Sequence, residues 1–189
     1  ICGTINLNRE LQDKLNPPSL SKHEITIGQT TLRRGDKVMQ TVNNYDIEWT
    51  RKNGVVQETG LGVFNGDIGY IHDINRDTSE AIIWFEDGRE AVYTRVELQD
   101  ITLSYAITVH KSQGCEFDIV VMPMIAGSQM ILTRNLFYTA VTRAKRAVVL
   151  VGEKKNMRRM IASTHTTKRN TMLKSLIIKE FKKAEEIYG

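Results

Sequence analysis

No Gly-Lys pair occurs anywhere in the 189 residues, so the loop G-x-x-x-x-G-K-[ST] that cradles a triphosphate and its magnesium is absent from them. Cysteine is scarce. Cys2 and Cys115 are too few for a disulfide framework and lack metal-site spacing, which excludes a structural zinc centre and fits a reducing cytoplasm. No apolar stretch is long enough to span a bilayer, and no basic-then-apolar leader opens the chain. A cytoplasmic location without a membrane partner is therefore expected. Internal repeats and low-complexity segments are missing too. The chain begins Ile1-Cys2-Gly3-Thr4 without an initiator Met, and we read it as a piece of a longer protein. The hydrophobic fraction of 41% and charged fraction of 25% are those of an ordinary globular protein of one large domain, or one and a half small ones.

What charge there is lies unevenly. From Glu153 onward ten basic residues face four acidic ones, a surplus of +6, so with an overall charge of +4 residues 1–152 carry −2. Such a basic tail suits a phosphate backbone, or equally a solvated helix face.

Texture along the chain divides it into three. Leu7, Leu11 and Leu15 stand four apart on one helical face, and Asn16-Pro17-Pro18 ends that helix. From about Leu32, short β runs alternate with turn signals, Asn65-Gly66-Asp67 and Asp87-Gly88 among them, which predicts small antiparallel strands closing into a barrel. The polar segment 46–62 reads as a loop. After Ile101, residues 118–122 and 147–151 are near-continuous apolar runs of the kind found in buried parallel strands. Thr133 is the expected N-cap of a helix reaching about Lys145, with Leu136, Phe137, Ala140 and Ala144 inward. Residues 104–110 fit strand and helix equally. Beyond Gly152 the spacing of Leu173, Leu176, Ile177, Phe181, Ala184 and Tyr188 predicts a helix with one docking face.

Two runs stand out: YAITVHKSQGCEFD at 105–118 and LFYTAVTRAK at 136–145. Both interleave small, hydroxyl and cationic residues with apolar ones, as a phosphate-gripping surface on a rigid scaffold requires. In sequence, order and spacing they resemble the last two signature motifs of superfamily 1 helicases, and most closely the RecD-like branch, with T-x-H-K-S-Q-G-x-E-F and Y-T-A-x-T-R-A. The segment LNRELQDKLNP at 7–17 resembles a further element of that branch. The resemblance implies an α/β fold: a second RecA-like, P-loop NTPase-type motor domain at 1–31 and 101–152, interrupted by a small SH3-like antiparallel β-barrel at 32–100. A basic helical tail at 153–189 would pack on the motor domain. It further implies an ATP-dependent DNA helicase moving 5′→3′, its ATP and Mg²⁺ held mainly by an upstream P-loop motor domain of the same protein. Single-stranded DNA and nuclease or repair-complex subunits are the implied partners. The chain by itself is expected to hydrolyse no ATP. Pif1-like and relaxase-type helicases share this type of motif, and a degenerate, non-catalytic DNA-binding or scaffolding module is the alternative of another class.

Residue by residue, Arg143 matches the family's arginine finger, a fork supplied across the cleft to the charge developing on the transferred phosphoryl group. As residue type alone it reads as a surface arginine near a helix C-terminus, and the motif reverses that reading. Gln113, Gly114, Glu116 and Arg134 match positions facing the nucleotide, although Arg134 at a helix N-terminus fits a salt bridge as well. Thr108, His110, Lys111 and Ser112 match contacts to the single-stranded DNA backbone. Asn44 and Asn65, with Asn43 and Tyr45, resemble positions near the DNA path and are equally good turn residues. Trp84 or Phe85 would offer a stacking platform for bases, one of the pair being required for the core. No metal ligands are assigned, and Cys115 is assigned packing alone.

Overall fold

The computed structural model describes residues 3–54, 56–127, 132–163 and 172–188. Cys2, Lys168 and Arg169, and the side chains of Lys174, Lys182, Lys183, Ala184 and Tyr188, lie outside that description. The chain divides into two compact units, 1–122 with 139–150, and 123–138 with 151–189.

The first unit opens with helix α1 (Thr4–Leu15) and a hairpin of β1 (Glu24–Ile27) and β2 (Thr30–Arg33). There follow β3 (Lys37–Gln40), β4 (Asn44–Asn53), β5 (Val56–Val63), β6 (Ile68–Asn75), β7 (Glu80–Phe85), β8 (Arg89–Tyr93), a 3-10 turn (Glu97–Asp100) and β9 (Ile101–Leu103). These seven strands form one sheet in the order β5-β4-β8-β7-β6-β3-β9, antiparallel between all neighbours, with β5 and β9 as its edges. Successive side chains on a strand face opposite ways. On β7, Ala81, Ile83 and Phe85 therefore join Val38, Ile71, Ile74 and Tyr93 in the core, while Trp84 points outward at 47% exposure. One face of Trp84 is covered by His72, stacked at 3.6 Å between centroids and 8° between planes.

Two expectations are corrected here, and the docking face of α1 is a new finding. Residues 46–62 are not a loop: β4 and β5 form a long hairpin in register Thr50↔Thr59, Arg51↔Glu58 and Lys52↔Gln57. It reads as polar because much of the ribbon is solvent-exposed, and its turn signal, Asn53-Gly54 with Gly54 at φ +64°, lay unread in the middle of it. Helix α1 does not dock by its leucines. Leu7 and Leu11 are half-buried and Leu15 is 68% exposed, whereas Asn8, Gln12 and Asn16, also four apart, are buried. Residues 104–116 are neither strand nor helix but a series of turns following β9.

The remaining elements are β10 (Phe117–Met124), α2 (Arg134–Val141), β11 (Ala144–Gly152), α3 (Lys154–Ala162) and α4 (Leu173–Tyr188). Thr133 caps α2 as expected, accepting the Leu136 N–H on its Oγ1 at 3.2 Å. The helix ends at Val141, however, and Ala144 and Lys145 already belong to β11. Strands β10 and β11 pair. Phe117 N–H donates to Arg143 O at one end and Glu153 N–H to Met124 O at the other, so they run parallel. The burial expected of them is found only in part: Met122 and Met124 are buried, but Ile119, Val121, Val149, Leu150 and Val151 are 37–64% exposed. Two strands alone do not bury both faces of a parallel sheet, which elsewhere is covered on each side. In the second unit, α3 is seated by Asn156 Nδ2, which donates to Met124 O at 3.0 Å, and by Met160, 1% exposed. Helix α4 forms where the spacing placed it, yet Leu173, Leu176, Ile177 and Phe181 on it are 46–70% exposed. Among the described residues no helix is long and apolar enough to cross a membrane.

Candidate functional site

The turns 104–116 are held from below by a buried polar network. Asn8 clasps Ala106 in both directions: its Nδ2 donates to Ala106 O, and Ala106 N–H donates to its Oδ1, each at 2.8 Å. Next to this clasp Asp36, fully buried at the start of β3, accepts four bonds. They come from Gln12 Nε2 and Asn16 Nδ2 at 2.6 Å, Arg33 N–H at 2.7 Å and the Tyr105 hydroxyl at 3.0 Å. Burial and the adjacent carboxylate hold the Tyr105 hydroxyl above its ordinary pKa. The polar stripe of α1 and the first residue of the 105–118 run are thus one structure. Nothing in the leucine spacing announced it; the signal was the second four-residue repeat, Asn8-Gln12-Asn16, in the same helix.

Within the turns, Lys111 N–H donates to Thr108 Oγ1 at 3.2 Å and Ser112 Oγ donates to Val109 O at 2.8 Å. Ser112 is buried, its hydroxyl spent on the turn, while Thr108, His110, Lys111, Gln113 and Glu116 are exposed. Gly114 adopts φ +89°, with open space where a Cβ would stand. Cys115 then packs inward, its Sγ donating to Gly66 O at 3.7 Å, and burial raises the pKa of its thiol. That contact lays the turns against Asn65-Gly66-Asp67. Here Asn65 N–H donates to Asn43 Oδ1 at 2.9 Å, and Asp46 N–H to Asn44 Oδ1 at 3.1 Å, so Asn43 and Asn44 serve turn geometry. Beside them Tyr45 and Phe64 form an exposed edge-to-face pair at 5.7 Å, of which Phe64 was not foreseen.

The two sequence runs meet in space. Arg143 Nη1 donates to Cys115 O at 3.3 Å, and Phe117 N–H returns to Arg143 O at 2.8 Å. Lys145 Nζ lies 3.2 Å from Glu116 Oε2, both largely exposed. Arg143 keeps its Nε buried without a partner among the described residues. Arg134 belongs to the second unit, where it is the exposed first residue of α2.

Residues 7–85 match the family described as the ATP-dependent RecD-like DNA helicase SH3 domain, and residues 103–151 match the UvrD-like helicase C-terminal domain. The ATP-dependent RecD2 DNA helicase of Deinococcus radiodurans is 33% identical over 143 residues, 76% of this chain and 17% of that protein. The RecBCD enzyme subunit RecD of Mycobacterium tuberculosis is 42% identical over 104 residues, 54% of this chain and 18% of its own length. Its counterpart in Haemophilus influenzae is 27% identical over 162 residues, 86% of this chain and 21% of its own length. The chain belongs to the RecD-like helicases. It corresponds to about a fifth or less of the length of these relatives.

The cleft beside Cys115 and Glu116, about 190 Å³, is also lined by Asp67, Glu86 and Asp87. Its cation, Arg89, already donates to Asp67 and Asp87 at 2.6 Å. Four carboxylates around a committed arginine repel polyphosphate. Arg143 is different: its guanidinium donates to the Cys115 carbonyl and is not among the residues lining that carboxylate-rich cleft. Among the described residues no group of three or more His, Cys, Asp or Glu side chains is placed to hold a metal ion.

Proposed function

We propose that this RecD-like chain is part of an ATP-dependent DNA helicase, supplying the arginine finger and a stretch of the single-stranded DNA track. In this reading residues 1–31 and 101–152 belong to a second RecA-like motor domain, 32–100 are an inserted SH3-like barrel, and 153–189 are a basic helical tail. The observation that carries it is the seating of Arg143 on the Cys115 carbonyl, which ties the arginine of one motif to the backbone of the other. A shift of the exposed Thr108, His110 and Lys111 on a DNA backbone is thereby passed to the guanidinium. Bound ATP supplies the phosphoryl group whose hydrolysis drives movement. Arg143 contributes positive charge to it, while Gln113 and Gly114 border the nucleotide and Glu116 its sugar. The exposed apolar strands β10 and β11 fit a sheet completed by further chain, and the P-loop, magnesium ligands and catalytic carboxylate would lie upstream. Movement 5′→3′ and association with nuclease or repair-complex subunits follow from the family branch alone. The chain by itself should hydrolyse no ATP.

The test is single-strand-stimulated ATP hydrolysis by the longer protein that carries this chain, wild type against Arg143→Ala, with nucleotide binding followed alongside. Loss of about 10³-fold or more in rate with nucleotide retained is the expected result for a finger. Equal turnover would remove Arg143 from that role. DNA binding without turnover in wild type would favour a non-catalytic binding module.

A further inference from the structure

Helix α3 breaks the ordinary electrostatic rules of a helix. Its sequence is Lys154-Lys-Asn-Met-Arg-Arg-Met-Ile-Ala162, with no acidic residue in its first turn and two lysines there instead. Cations at a helix N-terminus oppose the macrodipole. Lys154 and Arg158, and likewise Lys155 and Arg159, stand at i and i+4, where like charges repel. The preceding Glu153 makes no side-chain cap; its carboxylate lies 2.5 Å from Lys155 Nζ. Arg159 in the last turn suits the macrodipole and Glu153 pairs with Lys155, but the two like-charge pairs along one face have no acidic partner among the helix's own residues, the mark of a surface shaped by what it binds.

The geometry of that face says what kind of partner it suits. At about 100° per residue the four cations cover roughly 140° of the helix, centred about 150° away from the seated Asn156 and Met160. All four are exposed, and the residue at the centre of the face is Ala162. There is no aromatic or large apolar anchor among the cations. Protein interfaces gather aromatic residues at their core and are depleted in lysine. A cationic face without an anchor grips by charge alone, which is how a nucleic-acid backbone is held without reading its sequence. We propose that Lys154, Lys155, Arg158 and Arg159 of α3 form a contact for the phosphates of single-stranded DNA. It rests on the helicase reading above.

The experiment measures binding of a fluorescein-labelled thymidine oligomer of about 16 nucleotides to the 189-residue chain by anisotropy, across a salt series. Wild type is compared with a variant carrying Lys154→Gln, Lys155→Gln, Arg158→Gln and Arg159→Gln, and with a control in which exposed Arg9, Lys14, Lys52 and Arg95 become Gln. With three or four phosphates released, the slope of log K against log salt should flatten by about 2–3 in the α3 variant, with affinity at about 50 mM salt falling tenfold or more. The control should change the slope by less than about 1. Circular dichroism should show the α3 variant as helical as wild type, and its melting no lower, because repelling charges have been removed. No binding by wild type, an unchanged α3 variant, or an equal loss in the control would each overturn the proposal. So would an α3-dependent affinity for anionic vesicles or polyglutamate that the oligomer does not share. None of these outcomes touches the Arg143→Ala turnover experiment, on which the helicase reading stands or falls separately.

Discussion

Removing the Asp36 carboxylate is the sharpest way to ask whether a polar stripe, rather than the leucine stripe, holds α1 and the 104–116 turns to the sheet. Four donors converge on this fully buried group. Hydrogen bonds to a charged acceptor contribute about 1.5–3 kcal/mol each, which as a bare sum overstates the loss. Gln12 Nε2 also donates to Thr31 O at 2.9 Å and Asn16 Nδ2 to Arg34 O at 3.2 Å, so neither amide is abandoned in Asp36→Ala. Arg33 N–H is only part-buried, within reach of water. The Tyr105 hydroxyl loses its described acceptor outright. A cost of about 3–5 kcal/mol is expected, comparable with breaking a buried charged network. Urea unfolding followed through Trp49 and Trp84, both on the sheet, reads this directly. With a slope of about 1–3 kcal/mol per M the midpoint should fall by about 1–5 M. Asp36→Asn keeps one acceptor and should cost about half as much. A double-mutant cycle with Tyr105→Phe should return a coupling of about 1–2 kcal/mol. A loss below about 1 kcal/mol for Asp36→Ala, or strict additivity in the cycle, would refute the claim that this network anchors the turns.

Two further outcomes follow from the packing of the sheet. At Gly69 in β6 an added Cβ would come 2.6 Å from Trp84 O and 2.9 Å from Ile83 Cγ2, so Gly69→Ala should lower stability by about 1–3 kcal/mol in thermal melts, and an unchanged melting temperature would contradict the register of β6 with β7. Burial raises the hydroxyl pKa of Tyr93, and burial with Asp36 raises that of Tyr105; since a raised folded pKa keeps the proton that the unfolded chain gives up, stability should be intact below about pH 10 and fall above it. The fully buried Tyr93 contributes up to about 1.4 kcal/mol per pH unit and the half-buried Tyr105 less, so urea midpoints between about pH 8 and 11 should decline, less steeply in Tyr105→Phe.

Much of the strand pattern was legible because it is local. Asn65-Gly66 and Asp87-Gly88 mark turns through backbone geometry, and the alternation in 80–85 decides by itself that one of Trp84 and Phe85 faces inward. Which one does so needed the sheet. The helix cap at Thr133 was local as well, one hydroxyl reaching three residues on. The turns at 104–116 were not legible, because their shape is imposed from residues far away in the chain, Asn8 and Asp36.

By itself the sequence determined the two motif runs, their order and the chemistry they carry, since residue type and spacing survive without any fold. It also determined that no P-loop lies within these residues. Tertiary structure alone decided that Arg143 sits on the Cys115 carbonyl, that α1 binds by amides instead of leucines, and that Ile119, Val121, Val149, Leu150 and Val151 of β10 and β11 are exposed while Met122 and Met124 are buried. The reason is physical: periodicity says which residues share a face of a helix or strand, but which face is buried depends on what other chain arrives to cover it.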